Sequence, residues 1–470
     1  ADSSFRAMGI GISGSSHVST TNGDLSIIGT GGSESDSLGI FVNGSSISAV
    51  NGDITIHGTG GQQGTSGDAH GVLISGGAKV STSGIGNIGL EGQGGNSSGD
   101  YNNGVYVTHR NTEVTTESGN ITMHGQGGGR GASGSNGGVL ITSSGHQPEG
   151  ATVRVGGSGN LTINGRGGTV TEGDSNDGVF VGGGASASVG SGNLQINGVG
   201  GGSVSSGGNY GVSVWGAGVI TSTGSGNVNV TGTGGNSSGD HNYGVVVENQ
   251  NSIITSTGGD VTVTGQGGGT GASGRNHGVY VNLEGGIQAG AEGSVTITGS
   301  GGHGSGDRNY GVILNNANSK ITSLGGNIIV TGQGGGNGTS KNNHGVDLQH
   351  GAQIVTGNTG TVSVHGTGGL TTGEHNYGVK VSSDGTSISS SGGDVIVTGQ
   401  GGGTDAAAGN IGVVVSDAAR VAAGENGITQ LNGTGGLTDG HSNHGISIWH
   451  ENTIVTSAGG DVILDGQGGG

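Results

Sequence analysis

Short runs of β-branched residues, bounded by Gly, Asn and Ser, recur along the whole chain. In residues 236–269 these runs are 245–247, 253–255 and 261–263. Alternating apolar positions between glycine-rich turns are typical of β-strands, and no segment has the 3.6-residue period of a helix. The pattern therefore predicts an all-β protein with three short strands in each repeat.

The repeat itself predicts the architecture. Fourteen copies begin at residues 1, 33, 62, 96, 130, 169, 203, 236, 270, 303, 337, 370, 404 and 437. Repeats 1–6, in residues 1–202, vary in length, whereas repeats 7–14, in residues 203–470, alternate between 33 and 34 residues as four 67-residue pairs. Three short strands cannot bury a core alone, but stacked coils can. We therefore predict one domain, residues 1–470, that forms a parallel β-solenoid of about 14 coils of 33–34 residues.

Composition and charge narrow the classes of partner. The chain has 123 Gly among 470 residues, and without a repeat such a composition would favour disorder. Its net charge of −19 opposes contact with a phosphate backbone, so no nucleic-acid partner is expected. No apolar run is long enough to cross a membrane, so no membrane insertion is expected. The absence of Cys is compatible with a secreted bacterial protein at the cell surface or outside the cell.

An asparagine stands just before the first strand of every repeat from the fourth onward. Asn tolerates left-handed backbone geometry, and amides stacked one strand spacing apart can hydrogen-bond to one another. We interpret this column as a buried structural ladder, and a polar recognition edge is the alternative. The column consists of Asn102, Asn136, Asn176, Asn209, Asn242, Asn276, Asn309, Asn343, Asn376, Asn410 and Asn443.

Two further columns follow the third strand. An amide alternates with a small hydroxyl from Gln266 onward, which predicts a turn ladder in which neighbouring turns interdigitate. Isoleucine recurs in every second repeat on the outer face, which predicts a lateral contact surface for a neighbouring rod, with a covering loop as the alternative. The turn ladder is Thr233, Gln266, Ser300, Gln333, Thr367, Gln400, Thr434 and Gln467, and the lateral row is Ile329, Ile396 and Ile463.

The residue after each Asn is aromatic or His in most of the regular repeats. His277 and His344 are two coils apart with Tyr310 between them, so they cannot share a metal ion. We predict that this column forms stacked, half-buried rings. In repeats 7–14 it consists of Tyr210, Tyr243, His277, Tyr310, His344, Tyr377, Ile411 and His444.

The sequence favours no enzyme. Asp240, Asp307 and Glu374 occupy related loop positions, but the residues that follow them are in no regular order, so we interpret them as turn residues rather than a catalytic pair. We therefore predict no catalytic, cofactor-binding or metal-binding residues. Glycine-rich strings such as residues 301–307 leave calcium as an alternative, but their spacing does not recur every nine residues.

The segments 242–245 (Asn-Tyr-Gly-Val) and 259–269 (Gly-Asp-Val-Thr-Val-Thr-Gly-Gln-Gly-Gly-Gly) resemble the large bacterial secreted β-strand-repeat proteins. More loosely, the chain is similar to the β-helices of filamentous haemagglutinins and autotransporter passengers. The resemblance covers the whole chain and rests on motifs of low complexity. It implies a right-handed coil, a surface location, and a role as an adhesin, envelope or matrix component without catalysis.

The terminal repeats show no capping segment, so we expect both terminal coils to be uncapped. Either the residues belong to a longer array, or the last coil stacks on the first coil of another molecule and builds an open filament. We therefore predict a structural subunit of an extracellular filament, sheath or matrix that polymerises head-to-tail with itself. Its expected further partners are neighbouring filaments and surface polysaccharide. The alternatives are an adhesin stalk or glycan-binding rod and, third, a polysaccharide-active β-helix enzyme.

Overall fold

The computed structural model describes residues 7–33, 36–62, 64–145 and 149–470, and these residues contain no helix. They form 42 short strands. The chain divides into two compact units, Ala1–Asn236 and Ser237–Gly470, which are described separately below.

Unit 1 contains seven coils of three strands each. Its strands are β1 Ile10–Ser13, β2 His17–Thr20, β3 Leu25–Thr30, β4 Ile40–Asn43, β5 Ser46–Ala49, β6 Ile54–Thr59, β7 Val72–Ser75, β8 Lys79–Thr82, β9 Ile88–Gln93, β10 Val105–Val107, β11 Glu113–Thr116, β12 Ile121–Gln126, β13 Val139–Ile141, β14 Thr152–Val155, β15 Leu161–Arg166, β16 Val179–Gly182, β17 Ser186–Val189, β18 Leu194–Val199, β19 Val212–Trp215, β20 Val219–Ser222 and β21 Val228–Thr233.

Unit 2 also contains seven coils of three strands. Its strands are β22 Val245–Glu248, β23 Ile253–Ser256, β24 Val261–Gln266, β25 Val279–Asn282, β26 Gly286–Ala289, β27 Val295–Ser300, β28 Val312–Asn315, β29 Lys320–Ser323, β30 Ile328–Gln333, β31 Val346–Gln349, β32 Gln353–Thr356, β33 Val362–Thr367, β34 Val379–Ser382, β35 Ser387–Ser390, β36 Val395–Gln400, β37 Val413–Ser416, β38 Arg420–Ala423, β39 Thr429–Thr434, β40 Ile446–Trp449, β41 Ile454–Ser457 and β42 Val462–Gln467.

Each coil contributes one strand to each of three parallel sheets. We call them the first-strand, second-strand and third-strand sheets after the order of the strands in a coil. In unit 1 the first-strand sheet has the order β1-β4-β7-β10-β13-β16-β19, and in unit 2 it has the order β22-β25-β28-β31-β34-β37-β40. The other two sheets follow the same order with the second and third strands of each coil.

The register shows that one repeat makes one coil. Val261 pairs with Val295, and Val295 pairs with Ile328, so partners lie 34 and then 33 residues apart. These separations equal the repeat lengths read from the sequence. The prediction of an all-β parallel solenoid with about 14 coils and three strands per coil is confirmed.

The core lies inside the coils and follows from the two-residue period of the strands. In β24 the side chains of Val261 and Val263 are fully buried, whereas those of Thr262 and Thr264 face outward. The same positions of neighbouring coils stack, so each sheet presents a column of Val, Ile or Leu to the interior.

Thr429, at the first position of β39, is the polar residue in the otherwise apolar column that contains Val261. Its hydroxyl both donates and accepts a hydrogen bond. Its Oγ1 donates to the carbonyl of Thr456 at 2.6 Å and accepts the N–H of Ala423 at 2.9 Å. A buried hydroxyl with both a donor and an acceptor partner carries little desolvation cost. The core therefore accommodates this Thr with its hydroxyl fully paired.

Candidate functional site

The asparagine column runs along the inside of the turn before the first-strand sheet, and all eleven of its side chains are buried. The Oδ1 atom of Asn309 accepts the backbone N–H of Asn276 at 3.1 Å and the Nδ2 of Asn276 at 3.0 Å. The same bond joins Asn102 to Asn136 in unit 1, at 2.9 Å from the backbone N–H. These amides hydrogen-bond to the neighbouring coil and are buried. The geometry therefore favours the interpretation as a structural ladder over that as a recognition edge.

The predicted ring column is stacked in unit 2. Ring centroids are 4.9 Å apart from Tyr243 to His277 and from His277 to Tyr310, with interplanar angles of 10° and 11°. The stack continues from Tyr310 to His344 and on to Tyr377, at 5.1 and 4.6 Å. Tyr243, His277, Tyr310 and His344 are buried, more deeply than the half-burial expected from the sequence.

These rings lie over the outer face of the first-strand sheet. In unit 2 the ring of Tyr280, in β25, meets both Tyr243 and His277 edge to face, at 5.2 and 5.4 Å. In unit 1, His70 meets Tyr106 in the same way at 5.1 Å. At Tyr280 and Tyr106 the rings of the loop before the first strand therefore cover the outer face of the sheet, which buries aromatic area outside the interior of the coils.

The buried imidazoles of this column are hydrogen-bond acceptors. The Nδ1 atoms of His70, His277 and His344 accept the backbone N–H of Asn103, Tyr310 and Tyr377, at 3.3, 3.3 and 3.2 Å. An imidazole that accepts at Nδ1 must be unprotonated there. Burial lowers the pKa of His277 to about 3, and burial with the nearby Lys380 lowers the pKa of His344 well below its usual value.

The low pKa of His277 predicts acid sensitivity. Below pH 6.5 the imidazole binds a proton in the unfolded chain but not in the folded one, so stability is full above pH 6.5 and is lost as the pH falls toward 3. One such group lowers the free energy of unfolding by about 1.4 kcal/mol per pH unit in this window. The His277→Asn variant keeps an acceptor, as Asn103 does for the N–H of Gly137 at 2.7 Å, and should lose about this much of the slope.

The measurement for this prediction is the denaturant midpoint of unfolding between pH 7.5 and 4.5. The matched control is His365→Asn, because His365 is exposed on the outer face of the third-strand sheet. It should leave the slope unchanged. An equal slope for the wild type and His277→Asn would contradict the prediction.

A buried ionic cluster adjoins the ring column. Asp347, in β31, is fully buried, and its Oδ2 lies 3.7 Å from His344 Nε2 and 3.8 Å from Lys380 Nζ. Among the described residues neither carboxylate oxygen of Asp347 has a hydrogen-bond partner. Burial raises the pKa of Asp347, although Lys380 opposes the shift. As an imperfectly paired and fully buried charge, Asp347 reduces stability rather than forming a site that is open to solvent.

Asp177 occupies the ring-column position in unit 1. Its Oδ1 accepts the N–H of Tyr210 at 3.0 Å, and burial raises its pKa to about 7. It borders a depression of about 200 Å³ lined by Tyr101, Leu140 and Phe180. This space is below the size of common ligand pockets, and the bond to the neighbouring coil gives Asp177 the same role as Asn103.

The turn ladder occupies the last position of the third strands. In unit 2 its members pair in register, as Gln266 with Ser300 and Ser300 with Gln333. The Gln side chains are exposed and the hydroxyl side chains between them are half-buried. This alternation places a long side chain beside a short one along the edge of the sheet.

The isoleucine row lies on the outer face of the third-strand sheet in unit 2. Ile329, Ile396 and Ile463 hold the second position of β30, β36 and β42, separated by Ser363 and Gln430 in the coils between them. Ile329 is 41 % and Ile463 39 % exposed, and Ile396 is half-buried. The three side chains therefore share one face of unit 2.

The loop carboxylates have structural partners. The Oδ1 atoms of Asp240 and Asp307 accept the backbone N–H of Gly274 and Lys341, each at 2.8 Å, and Lys341 Nζ lies 3.6 Å from Glu374. These contacts support their interpretation as turn residues. Within the part of the chain that the structure describes, no three His, Cys, Asp or Glu side chains are grouped as a metal would require.

Sequence reasoning missed a second, exposed ladder before the third strands. Asp or Asn Oδ1 atoms there accept the N–H of the next coil, as Asp53 does for Asn87 at 2.7 Å and Asn327 for Thr361 at 2.9 Å. The signal was present in the repeat, as the Asn or Asp that precedes the third strand in most repeats; Ser294, Thr361 and Ile428 are the exceptions. Also missed was a polar depression on unit 1, built by the outward positions of repeats two to six.

The coil β40–β42 exposes side chains that are interior in the other coils of unit 2. Val462 and Leu464, at the first and third positions of β42, are 45 % and 51 % exposed, whereas Val395 and Val397 in β36 are fully buried. In the first strand of the coil, Ile448 is 40 % exposed, whereas its register partner Val415 in β37 is fully buried. Within these 470 residues, this coil presents a broad apolar surface.

Comparison of the chain with protein-family models, with curated protein sequences and with solved structures finds no match. The described residues also form no helix of the length and hydropathy needed to span a membrane.

Proposed function

We propose that this protein is a structural subunit of an extracellular filament, sheath or matrix that assembles head-to-tail. One observation carries the proposal: β40–β42 retain the strand pattern of a coil, but their interior side chains Val462 and Leu464 are about half exposed. A strand with unpaired backbone groups and exposed apolar side chains is a template for another strand. The proposed occupant of this face is the first coil of a second copy.

The two coils match in strand length and register. β1, β2 and β3 have four, four and six residues, as do β40, β41 and β42. Glycine holds the fifth position in both β3 and β42, at Gly29 and Gly466. Stacking in the register used inside the units would place Val462 against Leu25 and Leu464 against Ile27.

Both surfaces of this contact have apolar area to bury. In the first coil Ile10, Ile12 and Leu25 are half-buried. Covering them together with Val462 and Leu464 would add strand hydrogen bonds and apolar contacts like those between coils within a unit. A contact between two different surfaces repeats without closing, which builds a filament.

The proposal includes no catalysis. Asp240 and Asp307 bind backbone N–H groups of the next coil, which supports a role in the turns. Composition supports the proposed location, since a chain without Cys is compatible with secretion and a net charge of −19 favours solubility. Lateral association of filaments through the Ile329, Ile396 and Ile463 row is part of the proposal.

We expect the 470-residue protein to form filaments whose length grows with concentration, seen by negative-stain microscopy and sedimentation velocity. Leu464→Asp should leave monomers, because it places a charge at the centre of the stacking face. The matched variant is Ile463→Asp in the same strand. Its side chain points to the outer face, so single filaments should form and only their bundling should weaken.

Two results would overturn the proposal. The wild-type protein could remain monomeric at high concentration, or Leu464→Asp could assemble as well as the wild type. Assembly lost equally in Leu464→Asp and Ile463→Asp would argue for lateral rather than end-to-end contact.

A further inference from the structure

The outer face of the third-strand sheet differs between the two units. At the fourth position of the third strands unit 2 carries mainly Thr, as in Thr264, Thr298, Thr331 and Thr398. At the same position the second to sixth coils of unit 1 carry ionisable and amide side chains, and these are His57, Glu91, His124, Asn164 and Asn197. At this position, five adjacent coils of unit 1 therefore carry larger hydrogen-bonding side chains than the Thr found in most coils of unit 2.

These side chains line a depression of about 560 Å³. A second depression of about 510 Å³ lies beside it, and the two share Gln93, Gln126 and Arg166, at the last position of β9, β12 and β15. Both volumes lie in the range of small-molecule pockets. We call the two depressions together the unit-1 groove, and Gln93, Gln126 and Arg166 line both of them.

Hydrogen bonds between coils hold several groove side chains in place. His57 Nδ1 lies 3.1 Å from Glu91 Oε2, and Asn164 Nδ2 lies 3.3 Å from His124 Nδ1. Asn197 Nδ2 donates to Asn164 Oδ1 at 2.7 Å. Groups oriented in this way lose less conformational entropy when a ligand binds than free surface side chains do.

The chemistry of the groove matches vicinal hydroxyl groups. A side-chain amide offers a donor beside an acceptor and a guanidinium offers paired donors, so each can bind two neighbouring hydroxyls of a sugar, and the Nε2 of each imidazole can bind one. Among the described residues that line the two depressions, Glu91 and Arg166 are the ones with a fixed charge, and their charges are opposite. A groove without net charge, in a chain of net charge −19, suits a neutral chain better than a polyanion.

We propose that the unit-1 groove binds a neutral oligosaccharide, which lies along successive coils and crosses Gln93, Gln126 and Arg166. This inference does not rest on the assembly proposed above, since the groove lies on the outer face of unit 1 and the stacking face is the surface of β40–β42. The two can therefore fail independently. A surface polysaccharide of another cell or of the matrix would present the same chemistry.

The test is titration of the 470-residue protein with cellohexaose, xylohexaose and mannohexaose, and with hexagalacturonate as the acidic probe. At least one neutral hexaose should bind saturably in calorimetry. Its addition should shift the imidazole Cε1–H signals of His57 and His124 in NMR and leave that of His365, in unit 2, unchanged. The NMR readout is taken on the Leu464→Asp variant, which should stay monomeric, so it does not depend on filament formation.

A pair of double variants provides the matched control. Gln93→Ala/Gln126→Ala removes two amides from the groove, and Gln333→Ala/Gln400→Ala removes two amides from the same strand position in unit 2. The groove variant should weaken binding by about tenfold, and the control should not change it. Gln93, Gln333 and Gln400 are exposed, whereas Gln126 is half-buried and its Nε2 donates to the carbonyl of Gly167 at 3.2 Å. All four lie at the edge of the sheet, so both proteins should fold, which circular dichroism will check.

Three results would overturn the inference. None of the three neutral hexaoses binds, or only hexagalacturonate binds, or the two double variants weaken binding equally. In each case filament formation can still be measured, so its outcome remains distinct.

Discussion

Replacing Asn309 by Ala is expected to lower the free energy of unfolding by about 3 kcal/mol. Asn309 is fully buried and its Oδ1 is the acceptor for two donors of Asn276, the backbone N–H at 3.1 Å and Nδ2 at 3.0 Å. Its own Nδ2 donates to the carbonyl of Gly306 at 2.6 Å. Truncation to Ala leaves the two donors of Asn276 and the carbonyl of Gly306 buried without their partner. An unpaired buried donor lowers the free energy of unfolding by more than the net contribution of the hydrogen bond.

The measurement is native-state hydrogen exchange at the amide of Asn276, together with the guanidinium midpoint. The matched control is Asn327→Ala in the same repeat, because Asn327 makes the same bond to the N–H of Thr361 at 2.9 Å but is exposed. Water can replace the lost acceptor there, so about 0.5 to 1 kcal/mol is expected. Equal losses for the two variants would show that burial does not set the strength of the ladder.

The Gly332→Ala variant should cost about 3 kcal/mol or more. Gly332 is the fifth residue of β30 and its missing side chain would point inward. An added Cβ would overlap the carbonyl oxygen of Gly345 and crowd Val346 Cγ2 at 2.7 Å. The carbonyl cannot move aside easily, because it accepts the N–H of Val312 at 2.9 Å. The coil must therefore open or lose this hydrogen bond.

The control for this prediction is Gly286→Ala, also within a strand of unit 2. A Cβ at Gly286 would meet Ile253 at 3.6 Å, which is an ordinary van der Waals contact. There the substitution should be neutral or stabilising by up to about 1 kcal/mol, because Ala restricts the unfolded chain. Denaturant midpoints and far-UV circular dichroism measure both variants. A midpoint for Gly332→Ala close to that of Gly286→Ala would contradict the close packing described.

The arrangement of the strands could be predicted because the contacts in a solenoid join residues one repeat apart. Val261 pairs with Val295 because both follow the same Gly-[Asp/Ser] step in consecutive repeats. The two-residue period of a strand then decides which side chains face inward. The positions in the asparagine column could be read in the same way, since they recur at the repeat length.

The candidate sites could be predicted only in part. No sequence motif marks Glu91 as one wall of a groove. The groove depends on side chains from five coils that bend toward one another, as His57 and Glu91 do. The burial of the rings was underestimated because it depends on a loop that folds back over Tyr280, and no period in the sequence encodes that fold.

The sequence by itself determined the solenoid, the number of its coils, its strand register and its interior, because all of these follow from repeat length and strand period. The tertiary structure decided which N–H groups bond to the amides of the asparagine column, which face the rings cover and where polar side chains converge on unit 1. These features depend on turn conformation and on side-chain directions between coils. Both are set when the coils pack, so residues in one repeat do not specify them alone.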